Sequence, residues 1–291
     1  MTNDDIMEIS VLASGSKGNC VYIEGEGCAL LVDAGRSGRE LLGTKTKQGR
    51  LGESGGDAEK IEGILVTHEH GDHIKGLAAV GNKLKKPAYG TVGTMDAFLR
   101  QRTGPVRFPV QTVKPGSQYE IGGFQVEPFV VSHDATEPCG YLISEGSTRL
   151  CYCTDTGIVT ESMMSVISRA DGVILESNHC PEMLRTGPYP EFLKRRISGN
   201  RGHLSNQDAA SVLRELGDSI HLAILAHLSE ENNEPGLALS AAQEGLSLHA
   251  ESVELFAAST VDLKEKAPVR KVQGSGREVC TDECWRYRFS L

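Results

Sequence analysis

The sequence predicts an α/β protein in which two sheets pack face to face and carry helices on their outer surfaces. Three observations predict it. Short apolar runs bounded by Gly and polar turns recur along the chain, β-rich blocks alternate with helical ones, and no internal repeat interrupts that order. At 291 residues the chain is long enough for one or two domains. With 39% hydrophobic and 24% charged residues it excludes disorder as the main state.

Residues 6–13 read as a strand that ends in the small polar turn Ser14-Gly15-Ser16-Lys17-Gly18-Asn19. Residues 20–23 and 28–32 follow as two short strands at hairpin spacing. A polar, Gly-rich stretch from 35 to 57 then breaks all periodicity. Residues 61–66 form a short buried strand that runs directly into Thr67-His68-Glu69-His70. Residues 74–84 are helical by Leu77, Val80 and Leu84 at i, i+3 and i+7, and a strand at 87–90 and a helix at 92–101 follow.

Strands at 110–113, 118–121, 124–131, 140–144 and 149–153 make a β-rich block, with Gly122-Gly123 as a hairpin signal. Beyond Asp155 the α/β alternation returns, with a strand at 173–175 and helices at 189–197 and 205–216. Ser205 and Asp208 make a capping-box-like start to the latter, whose buried stripe is Ala209, Val212, Leu213 and Leu216. A strand at 221–225, a helix from Pro235 to about 249 and a strand at 253–256 complete the domain. Its expected bounds are 1–262, and the polar, Gly-rich 263–291 is expected to be a tail.

A net charge of −9 excludes a surface that binds polyanions everywhere. One Trp, seven Tyr and seven Phe are too few to compose a stacking platform for single strands. The eight Cys are few and unevenly placed, which fits reduced thiols rather than a disulfide framework. The acidic start MTNDDIMEIS does not read as a signal peptide, and no apolar run reaches membrane-spanning length. A cytoplasmic location and no membrane partner are therefore expected.

His68-Glu69-His70-Gly71-Asp72-His73 is the most informative segment. Three imidazoles and two carboxylates so close together are costly to bury unless a cation compensates them. In an extended segment His68 and His70 point to one side, while Asp72 and His73 lie beyond the Gly71 turn. The spacing offers two ligand pairs for two ions. Further ligands are available where other strands end, at His133, Asp155 and His227, each after an apolar run and before a polar turn. A carboxylate such as Asp155 can bridge two cations, and imidazoles suit zinc and other first-row metals.

In these motifs the sequence resembles the metallo-β-lactamase superfamily. The resemblance rests, in order, on Asp33 in Leu-Val-Asp-Ala-Gly, the block at 68–73, His133, Asp155 and His227. It implies an αββα four-layer sandwich of two mixed sheets with a di-metal site at one edge. His68, His70 and His133 would hold one ion and Asp72, His73 and His227 the other, with Asp155 between them. Asp33 would hydrogen-bond a ligand rather than bind metal.

Within the superfamily the chain is most similar to the YycJ/WalJ-like nuclease subgroup. The motifs are Ala-Ser-Gly-Ser-Lys-Gly-Asn-Cys at 13–20, Ser-His-Asp-Ala at 132–135 and Glu-Ser-Asn-His at 176–179. Arg-Gly-His-Leu-Ser-Asn at 201–206 and His-Leu-Ser-Glu-Glu-Asn-Asn at 227–233 continue the match. Cys180 departs from it, standing where Asp is expected. The resemblance implies 5′-to-3′ trimming of DNA through a hydroxide that bridges the ions, with single strands or 5′ ends as the substrate. Asp72 and Asp155 would orient the nucleophile, and His203 would assist the leaving group. Zinc is the first choice of cation and manganese the second.

Ser14, Ser16 and Asn19 in the first turn, Asn178, and Ser205 at a helix start are the candidate substrate contacts. Basic stretches at 36–50 and 185–201 flank these loops and would form a rim. The gap between Asp155 and His227 leaves no room for a large inserted domain. Cys280 and Cys284 alone make a poor zinc site. The alternatives are a thioester or other small-molecule hydrolase on the same metals, and a non-catalytic nucleic-acid-binding metalloprotein.

Overall fold

Fifteen strands build two sheets in the computed structural model, which describes residues 7–102, 104–258, 276–281 and 284–289, the last two segments as backbone. In chain order they are β1 Met7–Ala13, β2 Cys20–Glu24, β3 Ala29–Val32, β4 Ile61–Leu65, β5 Ala88–Gly90, β6 Val110–Thr112, β7 Tyr119–Ile121 and β8 Phe124–Val130. There follow β9 Cys139–Glu145, β10 Thr148–Cys153, β11 Gly172–Glu176, β12 Leu222–Ala226, β13 Glu254–Ala257, β14 Gly276–Thr281 and β15 Cys284–Phe289. One sheet runs β14-β15-β1-β2-β3-β4-β5-β6 and the other β13-β12-β11-β10-β9-β8-β7. Both are mixed. Antiparallel β1, β2 and β3 join parallel β4, β5 and β6, and antiparallel β7 to β10 join parallel β11, β12 and β13.

Period-two alternation sorts the apolar side chains into three layers. Ile9, Val21, Ile23 and Leu30 of one sheet meet Val126, Tyr141, Ile143 and Ile224 of the other between the sheets. Tyr22, Leu31 and Ile64 point to the opposite face and pack on Leu77, Val80 and Phe98 of the helices there. Leu142, Val173 and Leu225 do the same for the second sheet, against Ile167, Val212 and Leu213. Helix, sheet, sheet and helix thus form the four layers that the sequence predicts. Among the described residues no helix is long and apolar enough to cross a membrane.

Most elements fall where expected, and Ser205 caps Asn206–Leu216 in a capping box with Asp208. Two places differ. The helix expected over 74–84 is split into Gly71–Ile74 and Leu77–Leu84. Gly76 lies against the loop after β3, donating its N–H to the Ala34 carbonyl at 2.7 Å. A Cβ there would stand 1.8 Å from the Arg36 carbonyl oxygen, so the break lets the two loops close on each other. Within the stretch expected to be a polar tail, β14 and β15 form an antiparallel hairpin and β15 pairs with β1. Overall polarity hides the alternation of Trp285, Tyr287 and Phe289 with Arg286 and Arg288, which is a strand pattern.

Candidate metal centre and its cleft

The loops after β3, β4, β8, β10, β11 and β12 meet at one edge of the sandwich and carry nearly every residue singled out from the sequence. Three of them turn on a non-glycine residue with left-handed backbone: Asp33 at φ 61°, Asp155 at φ 57° and His227 at φ 56°. Such residues are uncommon, and the packing of a functional edge is a usual reason for them. Each lies one or two residues beyond a buried strand, so the strand aims it.

The side chains gather as two trios. Donor atoms of His68, His70 and His133 lie within 4.8 Å of one another, and so do those of Asp72, His73 and His227. Asp155 stands between them. Its carboxylate is 3.3 Å from His73 Nε2, 3.8 Å from His133 Nε2 and 3.4 Å from His227 Nδ1. His68 Nε2, His227 Nε2 and Asp155 Oδ2 are buried and have no hydrogen-bond partner. Buried polar atoms seldom lack one. One orphan in each trio and one between them is what two cations require, and imidazole with carboxylate suits first-row divalent ions.

Partners behind the imidazoles decide which nitrogen is free. His73 Nδ1 donates to Asp33 Oδ2 at 2.7 Å, and Asp33 is held in turn by the Thr67 N–H and hydroxyl, both at 2.9 Å. His133 Nδ1 donates to the Gly202 carbonyl at 3.0 Å. His227 and His203 both donate from Nδ1 to Glu176 Oε1, at 2.8 Å each. Glu69 ties the two halves of the first trio together, its Oε1 accepting from the N–H and hydroxyl of Thr136 at 2.8 and 2.6 Å.

Electrostatics agree with this arrangement. Burial, reinforced by neighbouring imidazoles, pushes the His68 pKa well below its usual value. Burial would also lower His227, but Asp155, Asp72 and Glu176 around it raise its pKa to about 10. Burial opposes His73 likewise, and Asp155 and Asp33 carry it well above its usual value. Burial would raise Asp72, and hydrogen bonds and charge from His227 and His73 hold it far below the carboxylate range. The carboxylates therefore demand positive charge, which imidazole protons supply and which cations would supply instead.

His70 and His133 of one trio, Asp72 and His227 of the other, and Asp155 between them form the floor of a cleft of about 280 Å³, with His68 and His73 buried behind them. His203 borders it, with a side chain 20% exposed. Ser16 and Asn178 line it too, and Asn178 Nδ2 donates to the His227 carbonyl at 2.9 Å. Ser14 does not face the cleft, since its hydroxyl accepts the His227 N–H at 2.8 Å. Asn19 is buried, closing its turn by accepting the Gly15 N–H at 2.9 Å and setting Nδ2 3.0 Å from His73 Nε2. Ser205 lies outside the cleft, its hydroxyl engaged with Asp208.

The basic stretches divide in the same way. Arg50 is buried and donates to the Leu12 carbonyl, and Arg201 donates to the His133 carbonyl. Arg196 lines the cleft and pairs with Asp134 at 2.6 Å. The side chains of Cys280 and Cys284 lie outside the described residues.

Glu176 is the functional residue that sequence reasoning passed over. It is fully buried at the end of β11 and takes four hydrogen bonds: two at Oε1 from His203 and His227, two at Oε2 from the Thr156 and Leu204 N–H groups. The available signal was a carboxylate ending an otherwise apolar buried strand at the edge where Asp155 and His227 also emerge.

A family model described as a beta-lactamase superfamily domain matches residues 29–228. A Bacillus anthracis protein named exodeoxyribonuclease YycJ is 41% identical over 234 residues, 80% of this chain and 86% of its own. One from Streptococcus pneumoniae serotype 2, named exodeoxyribonuclease WalJ, is 38% identical over 227 residues, 77% of this chain and 82% of its own. Among solved structures, Zn²⁺-bound PqqB from Methylobacterium extorquens shares the fold, with a TM-score of 0.64 at 18% identity over 85% of this chain and 97% of that one.

Proposed function

Because the chain belongs to the metallo-β-lactamase superfamily, we propose that it is a divalent-metal-dependent phosphodiesterase that trims DNA from the 5′ end. The observation that carries this is the pair of ligand trios flanking Asp155, with an orphaned buried donor in each, on the floor of an open cleft. The names of the two bacterial relatives support nucleic acid as the substrate.

His68, His70 and His133 would hold one ion and Asp72, His73 and His227 the other, with Asp155 shared. Divalent ions held there supply Lewis acidity to a phosphoryl group and lower the pKa of water. Zinc is the preferred cation because imidazoles dominate the donor set, with manganese the alternative that the carboxylates favour. Asp33, Glu176 and the Gly202 carbonyl fix the ligating rings by holding their Nδ1 protons. Asp72 and Asp155 orient the attacking water. Glu176 holds the Nδ1 proton of His203, and in the imidazolium form the ring gives its Nε2 proton to the departing sugar oxygen and is left neutral. Ser16 and Asn178 line the path of the strand. The scatter of cysteines over buried strands supports a reducing, cytoplasmic setting.

The test is digestion of a 5′-phosphorylated, 3′-labelled strand with Zn²⁺ or Mn²⁺, with a chelator, and with His68→Ala. Stepwise loss from the 5′ end, abolished by chelator and by the substitution, is the expected result. If the protein holds two metals and cuts neither DNA nor RNA, the nuclease reading is wrong and thioesters become the substrates to try.

A further inference from the structure

The cleft has two unlike walls. Ser16, Asn178 and Ser229 make one, all short and polar. The other comes from a single segment, with Tyr189 just ahead of the helix Glu191–Ile197 and Leu193 and Ile197 within it. Leu193 and Ile197 lie four residues apart on one face of the helix, and Tyr189, just before its cap Pro190, lines the same cleft and extends that apolar stripe. The helix buries none of its residues, so its apolar stripe is not serving the protein core. Instead it continues directly into the metal-ligand floor, and Arg196 lines the cleft beside it.

We propose that this stripe is the subsite for the nucleobase next to the scissile phosphate, with Tyr189 as the stacking surface. The inference rests on the phosphodiesterase reading and gives it a base-binding pocket. A nucleotide is divided as the cleft is, with a flat apolar ring on one side and an anionic, hydroxyl-bearing backbone on the other. Ligand floor and polar wall suit the sugar and phosphate, and the Tyr189 stripe suits the ring. A volume of about 280 Å³ is at the small end for a ligand site, which fits one nucleotide at a time. The aromatic content is too low for a platform along a strand, but one ring placed at the reacting end needs no platform. Stacking is tolerant of base identity, so such a pocket admits all four bases.

Two chromogenic diesters with the same leaving group test it on the full-length, metal-loaded protein. Thymidine 5′-(p-nitrophenyl phosphate) carries a base, and methyl p-nitrophenyl phosphate carries none. The readout is the ratio of their kcat/KM values. We expect a preference for the thymidine ester that falls about tenfold or more in Tyr189→Ala, the scale of one base–aromatic stack, and is kept in Tyr189→Phe. Phe192→Ala, on the same helix but outside the cleft, controls for disturbance of the helix.

A binding arm uses a non-hydrolysable strand with 2-aminopurine on the 3′ side of its first phosphodiester, the position that the thymidine ester imitates, and its fluorescence is quenched on stacking. A ratio unchanged within twofold in Tyr189→Ala, or an equal fall in Phe192→Ala, overturns the subsite. If neither ester is cleaved but quenching occurs and is lost in Tyr189→Ala, the phosphodiesterase reading fails and the base subsite stands.

Discussion

Glu176→Gln removes one charge and almost no volume, which makes it a sharp probe of how the second trio is held. The carboxylate accepts two imidazole N–H groups at one oxygen and two backbone N–H groups at the other. A glutamine has a single acceptor oxygen. If that oxygen stays with the imidazoles, its amide faces the N–H groups of Thr156 and Leu204. If it turns, His203 and His227 lose their partner. Either way two buried donors go unsatisfied. Hydrogen bonds to a charged group contribute about 1.5–3 kcal/mol each, so the upper limit is roughly 3–6 kcal/mol of stability.

Burial would raise the Glu176 pKa, but the charges and hydrogen bonds of His203 and His227 hold it below the usual carboxylate range, so the charge being deleted is really there. The functional effect falls on one trio. Losing the partner of a ligating imidazole costs about 10–100-fold in metal affinity. His227 belongs to the trio with Asp72 and His73, whereas His133 is oriented by Gly202 and is untouched. Titration against a chromophoric chelator should show one of two metal-binding steps weakened by that factor and the other nearly unchanged. Both steps within twofold of the unmodified protein would refute the role assigned to Glu176, and equal weakening of both would show that the trios are not separately held.

Three further outcomes follow from the same geometry. Stripping the cations with a chelator should lower the melting temperature, because ions bound a hundredfold above their Kd stabilise the folded state by about 2.7 kcal/mol, and a melt unchanged by chelator would argue against the site. Ser205→Ala should cost about 1 kcal/mol through loss of the cap on Asn206–Leu216, read as a lower midpoint in urea. Burial pushes the Cys139 thiol up to about 12 and also raises Cys28, Cys151 and Cys153, so these stay protonated at pH 8. Alkylation of the folded protein at that pH should mark Cys180, which is half-buried, ahead of the other described cysteines, as peptide mapping would show. The raised thiols contribute stability that is complete below about pH 8.5, the unfolded value, and is lost as pH climbs toward 12.

The sandwich was legible because its signal is local. Alternation at period two told each strand which side faced the other sheet, as Val21 and Ile23 against Tyr22 show. The residues that gather in the two trios and between them were legible for a related reason: four of them share one hexapeptide, and the other three each end an apolar run. Composition, by contrast, misled wherever it averaged over positions. Arg50 counts toward a basic rim but lies buried on the Leu12 carbonyl, and the polar stretch after 263 hides the alternation of β15.

What stayed hidden was set by partners far along the chain. Ser14, Asn19 and Ser205 have the chemistry of phosphate contacts, but the same oxygens also satisfy backbone N–H groups. Nothing in a turn says which use wins until His227 or Gly15 or Asp208 is placed beside it. Glu176 is the sharpest instance, because His203 and His227 lie 27 and 51 residues away along the chain, and His227 meets it only when β11 and β12 pair in register. A one-residue slip in that pairing would turn either Glu176 or His227 to the wrong face of the sheet. The buried apolar residues of the two strands, Val173 to Leu175 against Ala223 to Leu225, therefore set the geometry of the candidate metal centre as surely as its own side chains do.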